Sequence, residues 1–445
     1  MPPRPEKQQH RKNQPPVQEP ASTESSTPFP LSKRITVGIL AVLCLFGACL
    51  RLAHLNDVTA RTPDEQVYTY YGQRIAANGL AELPVLIDQY NRDRKLWIYP
   101  PPMRAGYLVL LAAFMKIGPA DVRAGVWLSW LSSVASLALL AVIGVRFLPP
   151  WVAIYAVFSL STSLYDLVIA RRCWQDSVVG ALGLVLVWAA CEIVRDHEKW
   201  WPYAVLIGAG SLSACVKELG ALVYIACVAY VLVILFQRQA WKKIAWMVGA
   251  GLAGAALGFF SLAAAAGGVT SLLTGWSHMR ESVKDNPYAW EFQNLPWYQF
   301  VRGFWILSPL NLLLASLAVG LSVLPARLWT LWPLPSRPAD LSLLHLFSWM
   351  TISLVLLTLS VPTLENFRYL SPVYGPMYLL GGIGLSSILE TAASRMGRLA
   401  NRIVAVTALA LVLAAAVSQY QHFEQAYVTE ATPDLSIKLV IETRE

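Results

Sequence analysis

Apolar residues in this chain come in long continuous runs separated by short polar or basic segments, not in one-sided helical stripes or strict alternation. A helix apolar around its whole circumference is buried on all sides or faces lipid, and about 20 such residues cross a bilayer. Runs of this kind cover roughly 35 to 55, 124 to 146, 151 to 170, 177 to 194, 202 to 216, 219 to 236, 244 to 266, 303 to 324, 342 to 361, 370 to 389 and 402 to 420. They predict an all-α polytopic membrane protein of about eleven transmembrane helices.

The stretch 105 to 118 (AGYLVLLAAFMKIG) decides the topology. At about 14 residues it is short for a span and suits an interfacial or re-entrant segment. With it left out of the count, the N-terminal tail, Arg146, Arg195 with Lys199, Arg238 with Lys242 and Lys243, Arg327 with Arg337, and Arg395, Arg398 and Arg402 all fall on one side. Uncompensated basic residues mark the cytoplasmic face. Counting 105 to 118 as a span would move many of these clusters outside, so parity and length agree.

Composition supports the same class. The 445 residues are 56% hydrophobic and 14% charged, where soluble proteins average about 25% charged. A cytosolic enzyme, a disulfide-stapled secreted module and a disordered adaptor are excluded. The net charge of +8 then reads as loop topology and gives no reason to expect a nucleic-acid partner. Residues 1–34, rich in Pro, Gln and Ser, are expected to form a disordered cytoplasmic tail. Residues 35–420 form the membrane domain, with a long first outer loop at 56–123 carrying short interfacial helices, and 421–445 a short extracytoplasmic tail. The six cysteines form no CxxC pair and read as small apolar residues. A Cys173–Cys215 bridge is the one pairing that the outer compartment suggests.

The opposite face collects mixed charges beside apolar runs: Arg171, Arg172, Asp176, Lys217, Glu218, Glu365 and Arg368. Ionisable groups at span ends are expensive unless paired, hydrated or used, so they point to a functional site. Just beyond the first run lies Thr62 to Tyr71 (TPDEQVYTYY). Pro63 suits a first helical turn, Thr62 can cap it, and Asp64 and Glu65 suit its dipole. Adjacent helical residues diverge by about 100°, so both carboxylates cannot aim at one centre. One is a candidate general base with its neighbour holding the loop, and capping alone is the plain alternative.

Lys217, Arg171, Arg172 and Arg368 are candidate ligands for a phosphate leaving group, whose charge grows as its bond breaks. The bland alternatives are a neighbouring Lys217–Glu218 ion pair and interfacial anchoring by the two arginines. Tyr68, Asp176, Glu218, Tyr369 and Arg280 are candidate substrate-positioning residues. Trp290, Trp297 and Tyr298, in an outer loop with Arg280, could stack on a sugar face. No glycine-rich phosphate loop, HExxH, Cys/His metal cluster or GxSxG elbow is present in the sequence.

Read in order, Pro63-Asp64-Glu65 with Tyr68, Tyr99-Pro100-Pro101-Pro102 before Ala105-Gly106-Tyr107, Val122-Arg123-Ala124-Gly125, Arg171-Arg172 with Asp176, Lys217-Glu218, and Phe367-Arg368-Tyr369-Leu370 with Pro372 form a series. Over roughly residues 35 to 390 this series resembles the integral-membrane glycosyltransferases of the GT-C fold, in particular the protein O-mannosyltransferases and lipid A aminoarabinose transferases. The resemblance implies transfer of one sugar from a polyprenyl-phosphate donor on the outer face, with a lipid, cell-envelope glycan or protein hydroxyl as the expected acceptor and a bacterial plasma membrane as the expected setting. Because a lipid phosphate already leaves readily, direct displacement with inversion and a single base is expected. The resemblance maps catalysis to Asp64, with Glu65 beside it; no cofactor is expected to be required and a divalent metal is optional, since the first loop has no DxD pair and side chains alone can neutralise a monophosphate donor. Two departures stand out: the aminoarabinose transferases carry a lysine ahead of the proline where this chain has only prolines, and no large soluble acceptor-docking module is expected. A carrier or flippase that moves a lipid-linked sugar without bond making is the alternative class.

Overall fold

The computed structural model describes residues 31–58, 61–292, 296, 298–323, 341–359 and 366–432. The tail at 1–30, Trp297, the basic stretch with Arg327 and Arg337, Glu365 and residues 433–445 lie outside the described residues. The described residues are helical and contain no strand.

Each apolar run becomes a helix, with two interruptions. Helix α1 spans Lys33–Ala53. The first loop holds α2 (Pro63–Asn78), α3 (Glu82–Arg92) and α4 (Ala105–Ile117). There follow α5 (Val122–Phe147), α6 (Pro150–Ser161), α7 (Leu164–Ile169), α8 (Asp176–Arg195), α9 (Trp201–Val216), α10 (Glu218–Gln237) and α11 (Trp241–Ala265). Gly267 and Gly268, both at positive φ, turn the chain into α12 (Val269–Asp285), which leads to α13 (Pro287–Phe292), α14 (Gln299–Leu307) and α15 (Pro309–Val323). The last helices are α16 (Leu341–Leu359), α17 (Ser371–Arg395) and α18 (Arg398–Phe423).

The run 151 to 170 is not one continuous helix: it breaks between α6 and α7. Likewise 303 to 324 breaks at Ser308 before Pro309, which has no N–H to continue a helix. Among the described residues six helices are long and apolar enough to cross a membrane, α1, α5, α8, α10, α11 and α18 with its continuation to Thr429, and five more are shorter apolar helices.

Helices α5, α8 and α9 pack in sequence, α10 and α11 lie against α9, and α17 packs on α6, α8 and α15. The main apolar core fills the space between them, with Tyr165, Val187, Val223 and Tyr378 all buried. A second core lies under the first loop, where Tyr68, Leu86, Tyr107 and Leu111 pack together. Helix α4 is thus 13 residues long and has a buried face against α2, α5 and α9.

Within the bundle, Arg51 is fully buried and pairs with Asp166 at 2.5 Å. Its guanidinium also donates to Ser133 Oγ and to the carbonyls of Gly47, Leu160 and Ser161. The Leu160 carbonyl also accepts from Ser163 N at 3.3 Å, whereas the Ser161 carbonyl lies where α6 ends, so the arginine supplies a donor at the break between α6 and α7. The basic clusters gather at the other end of the bundle: Arg146 and Lys199 reach the buried Glu192, and Lys243 meets Glu198 at 3.1 Å. Of the basic clusters expected on one side, those at Arg146, Arg195 with Lys199, and Arg238 with Lys243 thus come together.

Candidate active site

Four helices begin at one place. Asp64 is the second residue of α2, and Asp176, Glu218 and Ser371 are the first residues of α8, α10 and α17. Helix N-termini carry partial positive charge and unsatisfied N–H groups, which favour anions.

In α2 the two neighbouring carboxylates part company. Glu65 closes a capping box with Thr62, accepting from its backbone N–H at 2.9 Å. It is fully buried, pairs with Arg61 at 2.9 Å and Arg172 at 3.1 Å, and accepts from Cys173 N at 3.0 Å. The side chain therefore staples the first loop to the turn between α7 and α8. Asp64 faces the other way, partly exposed, and accepts from Arg368 Nη2 at 2.9 Å.

Arg368 lies in the short turn Phe367–Leu370, which Asn366 caps by accepting from Arg368 N. Its guanidinium stands 4.7 Å from the centre of the Trp174 ring and 5.3 Å from that of Tyr369. The Lys217 ammonium sits 3.8 Å from the centre of the Tyr369 ring and donates to Asp176 Oδ1 at 2.6 Å. Asp176 is buried and its Oδ2 makes no hydrogen bond. Burial pulls the Lys217 ammonium down to about 8, with Asp176 opposing and Arg104 and Arg368 adding to the fall.

The Lys217–Glu218 neighbour pair does not form. Lys217 has extended backbone at the N-cap of α10, φ −162° and ψ 149°, so the two side chains diverge. Glu218 instead takes Arg104, at 3.1 Å, and Arg104 Nη1 donates to Tyr68 Oη at 2.5 Å. Nothing in the sequence pattern singles out Arg104, which lies in the two-residue gap between the prolines and Ala105; its partners are 114 and 36 positions away.

Arg171 and Arg172 sit behind these groups. Arg171 donates to His54 O at 2.7 Å and stands over the Phe423 ring, and burial, aided by Arg172, lowers its guanidinium to about 10. Arg172 is committed to Glu65 and stands over Trp174. Tyr68 is buried, edge-on to Tyr107. Arg280 is exposed on α12, and no hydrogen bond or ion pair ties it to the cluster. Cys173 and Cys215 are both free thiols. One lies against Gly125 and Tyr107 and the other against Gly106 and Gly258. Adjacent residues of α4 thus keep the two apart, and the suggested bridge is absent.

An apolar groove of about 390 Å³ includes Arg104 and Glu218 in its lining. Its walls are α9, α10 and α11, contributing Ala214, Ala221, Ile225, Ala255 and Leu262, and Trp276 and Met279 of α12 line it as well. From Glu218 to Ile225 it follows α10 for about 10 Å. Among the described residues no group of three or more His, Cys, Asp or Glu is placed to hold a metal, and Asp64, Asp176 and Glu218 each take a cationic side chain instead.

Residues 101–262 match a family model described as dolichyl-phosphate-mannose-protein mannosyltransferase, a stretch that carries Arg104, Asp176, Lys217 and Glu218. No curated protein sequence matches the chain. Among solved structures, ArnT from Cupriavidus metallidurans in the apo state is similar with a TM-score of 0.51 at 12% identity, over 87% of this chain and 78% of that one. The same protein bound to undecaprenyl phosphate gives 0.50 at 13% identity, over 88% and 78%. The archaeal oligosaccharyltransferase AglB from Archaeoglobus fulgidus, in complex with an inhibitory peptide and a dolichol-phosphate, gives 0.52 at 10% identity, over 89% of this chain and 56% of that one. At these identities the likeness is one of fold. The chain is an all-α, polytopic membrane protein of the GT-C fold, the architecture its ordered sequence motifs resemble.

Proposed function

We propose that this protein is a membrane glycosyltransferase that moves a single sugar from a polyprenyl-phosphate donor to a hydroxyl of a lipid, cell-envelope glycan or protein. The observation that carries the proposal is the cluster of Asp64, Arg368 and Lys217 beside Arg104, which itself lines an apolar groove with Glu218. A polyprenyl chain takes apolar surface, its phosphate takes the cations and helix N-termini, and a hydroxyl acceptor takes the carboxylate. The family match at 101–262 and the fold of proteins solved with undecaprenyl phosphate and dolichol-phosphate support the same substrate class.

In the proposed step the acceptor oxygen attacks the anomeric carbon from the face opposite the phosphate. The bond from that carbon to the phosphate oxygen breaks, its electron pair stays on the phosphate, and the acceptor proton passes to Asp64. Configuration is inverted, and no acid is needed because a phosphate leaves readily. The donor is a diester with one negative charge, and the polyprenyl phosphate released carries a second. Lys217 and Arg368 meet that growing charge. Glu65, Arg171 and Arg172 act as positioning residues, and Asp176 holds the Lys217 ammonium in place. Tyr369 packs beneath both cations, and Tyr68 orients Arg104. No step is routed through a metal.

By the charge rule the site end faces outward and the N-terminus lies in the cytoplasm, which suits a donor flipped across a bacterial plasma membrane before use. The test is incubation of purified protein with a polyprenyl-phosphate sugar and an acceptor extract. A new glycoside and released polyprenyl phosphate support transfer; a donor that crosses liposomes intact supports the carrier class instead.

A further inference from the structure

Three cations, Arg104, Lys217 and Arg368, gather near one another with Arg104 alone on the groove lining, and three carboxylates, Glu218, Asp176 and Asp64, each hold one of them. The formal charges cancel. A phosphate entering this balanced set gains little unless one carboxylate releases its cation, because displaced charge must be compensated in a poorly hydrated site.

Which carboxylate gives way follows from their settings. Asp176 is buried, its side chain 1% exposed, against the Lys217 ammonium. Asp64 takes Arg368, away from the groove lining. Glu218 is the most open of the three, its side chain 38% exposed, and it lines the groove together with Arg104. Its contacts with Arg104 run from 3.1 to 3.3 Å, long for a charge-assisted hydrogen bond. Arg104, by contrast, is only 14% exposed and is also held by Tyr68. A prenyl chain lying along α10 brings its phosphate to this pair.

Resting on the donor class proposed above, we propose that Arg104 is a ligand of the lipid-linked phosphate and that Glu218 is a resident anion occupying that phosphate's place in the empty protein. Phosphate binding exchanges one anion for another at Arg104 and turns the Glu218 carboxylate out toward solvent. Lipid anchorage and headgroup recognition are thereby linked: an anion without an apolar tail must displace Glu218 with nothing gained from the groove, so free phosphate and short phosphate esters compete poorly.

Binding of undecaprenyl phosphate to the full-length purified protein, read by tryptophan fluorescence in detergent, tests the exchange. Glu218→Gln removes the competitor and keeps the shape, so affinity rises, by about fivefold to tenfold for one charge-assisted contact no longer broken. Glu218→Asp, which keeps the charge but shortens the reach, gives a smaller rise and serves where the amide variant folds poorly. Arg104→Gln lowers affinity by about tenfold or more, and in that background Glu218→Gln has little further effect, since its competition acts through the arginine. Unchanged or weaker binding in both Glu218 variants overturns the exchange. Parallel titrations with phosphatidic acid and with inorganic phosphate separate the sources. Equal binding of phosphatidic acid makes the pair a general lipid-phosphate site and overturns its assignment to the donor. Equal response to inorganic phosphate overturns the link to the groove. Failure of every form, wild type included, to bind undecaprenyl phosphate removes the donor class itself, an outcome distinct from normal binding that is indifferent to Glu218.

Discussion

Asp64 and Arg368 are 304 positions apart in the chain and meet at 2.9 Å, joining the first loop to the turn that opens α17. The contact brings the candidate base beside a candidate phosphate ligand. Exchange of Arg368 for lysine keeps the charge but loses the planar fork that reaches Asp64 over Trp174. The expected outcome is a fall of about tenfold or more in transfer at saturating donor, with a smaller loss of donor affinity, checked by separating kcat from KM.

Lys217 gives the site a pH limit. Burial holds its ammonium at about 8, and an amine binds phosphate well only while protonated. Donor affinity is therefore full below that value and declines as pH rises through it. Lys217→Arg, charged at all accessible pH, flattens the decline, and Asp176→Asn shifts it to lower pH by removing the anion that retains the proton. Titrating donor binding between pH 6 and 10, roughly two units either side of that value, checks both signs.

Glu65 and Asp64 are neighbours with different expected phenotypes. Glu65→Gln leaves Arg61 and Arg172 facing a buried amide in place of a carboxylate. Breaking a buried pair by removing one partner costs about 3–5 kcal/mol. Thermal unfolding in detergent is expected to drop by several degrees together with activity, whereas Asp64→Asn leaves the unfolding temperature nearly unchanged.

The break between α6 and α7 depends on Arg51. Arg51→Met leaves the buried Asp166 without its cation and the Ser161 carbonyl without its donor, with a similar loss of about 3–5 kcal/mol, read by the same unfolding assay. Adding Asp166→Leu to that variant recovers part of the loss, because an apolar pair removes the uncompensated charge.

How much of this was legible in sequence varies with how local the signal is. All eleven expected span starts fall within four residues of helix starts, because a continuous apolar run is a local property; what the runs do not show is that 151 to 170 and 303 to 324 are each broken inside. The break at Ser308 carries its own local signal in Pro309, but the break after Ser161 depends on Arg51, more than 100 residues away. The motifs from Asp64 to Arg368 lie beside apolar runs and could be found as charges at span ends. Their pairing could not: Lys217 and Glu218 are adjacent yet serve different partners, and Arg104 stands out only once α10 brings Glu218 against it. Arg280 looked equivalent by composition, yet α12 carries it to an exposed face.

Transfer by Asp64→Asn, measured on protein shown to bind undecaprenyl phosphate and to unfold at the wild-type temperature, is the most direct test of the site as a whole. A bound but unconsumed donor, with glycoside formation reduced by about a thousandfold or more, is the predicted result. Glycoside formation at the wild-type rate would contradict the placement of the base at Asp64 and, with it, the use of this pocket for sugar transfer.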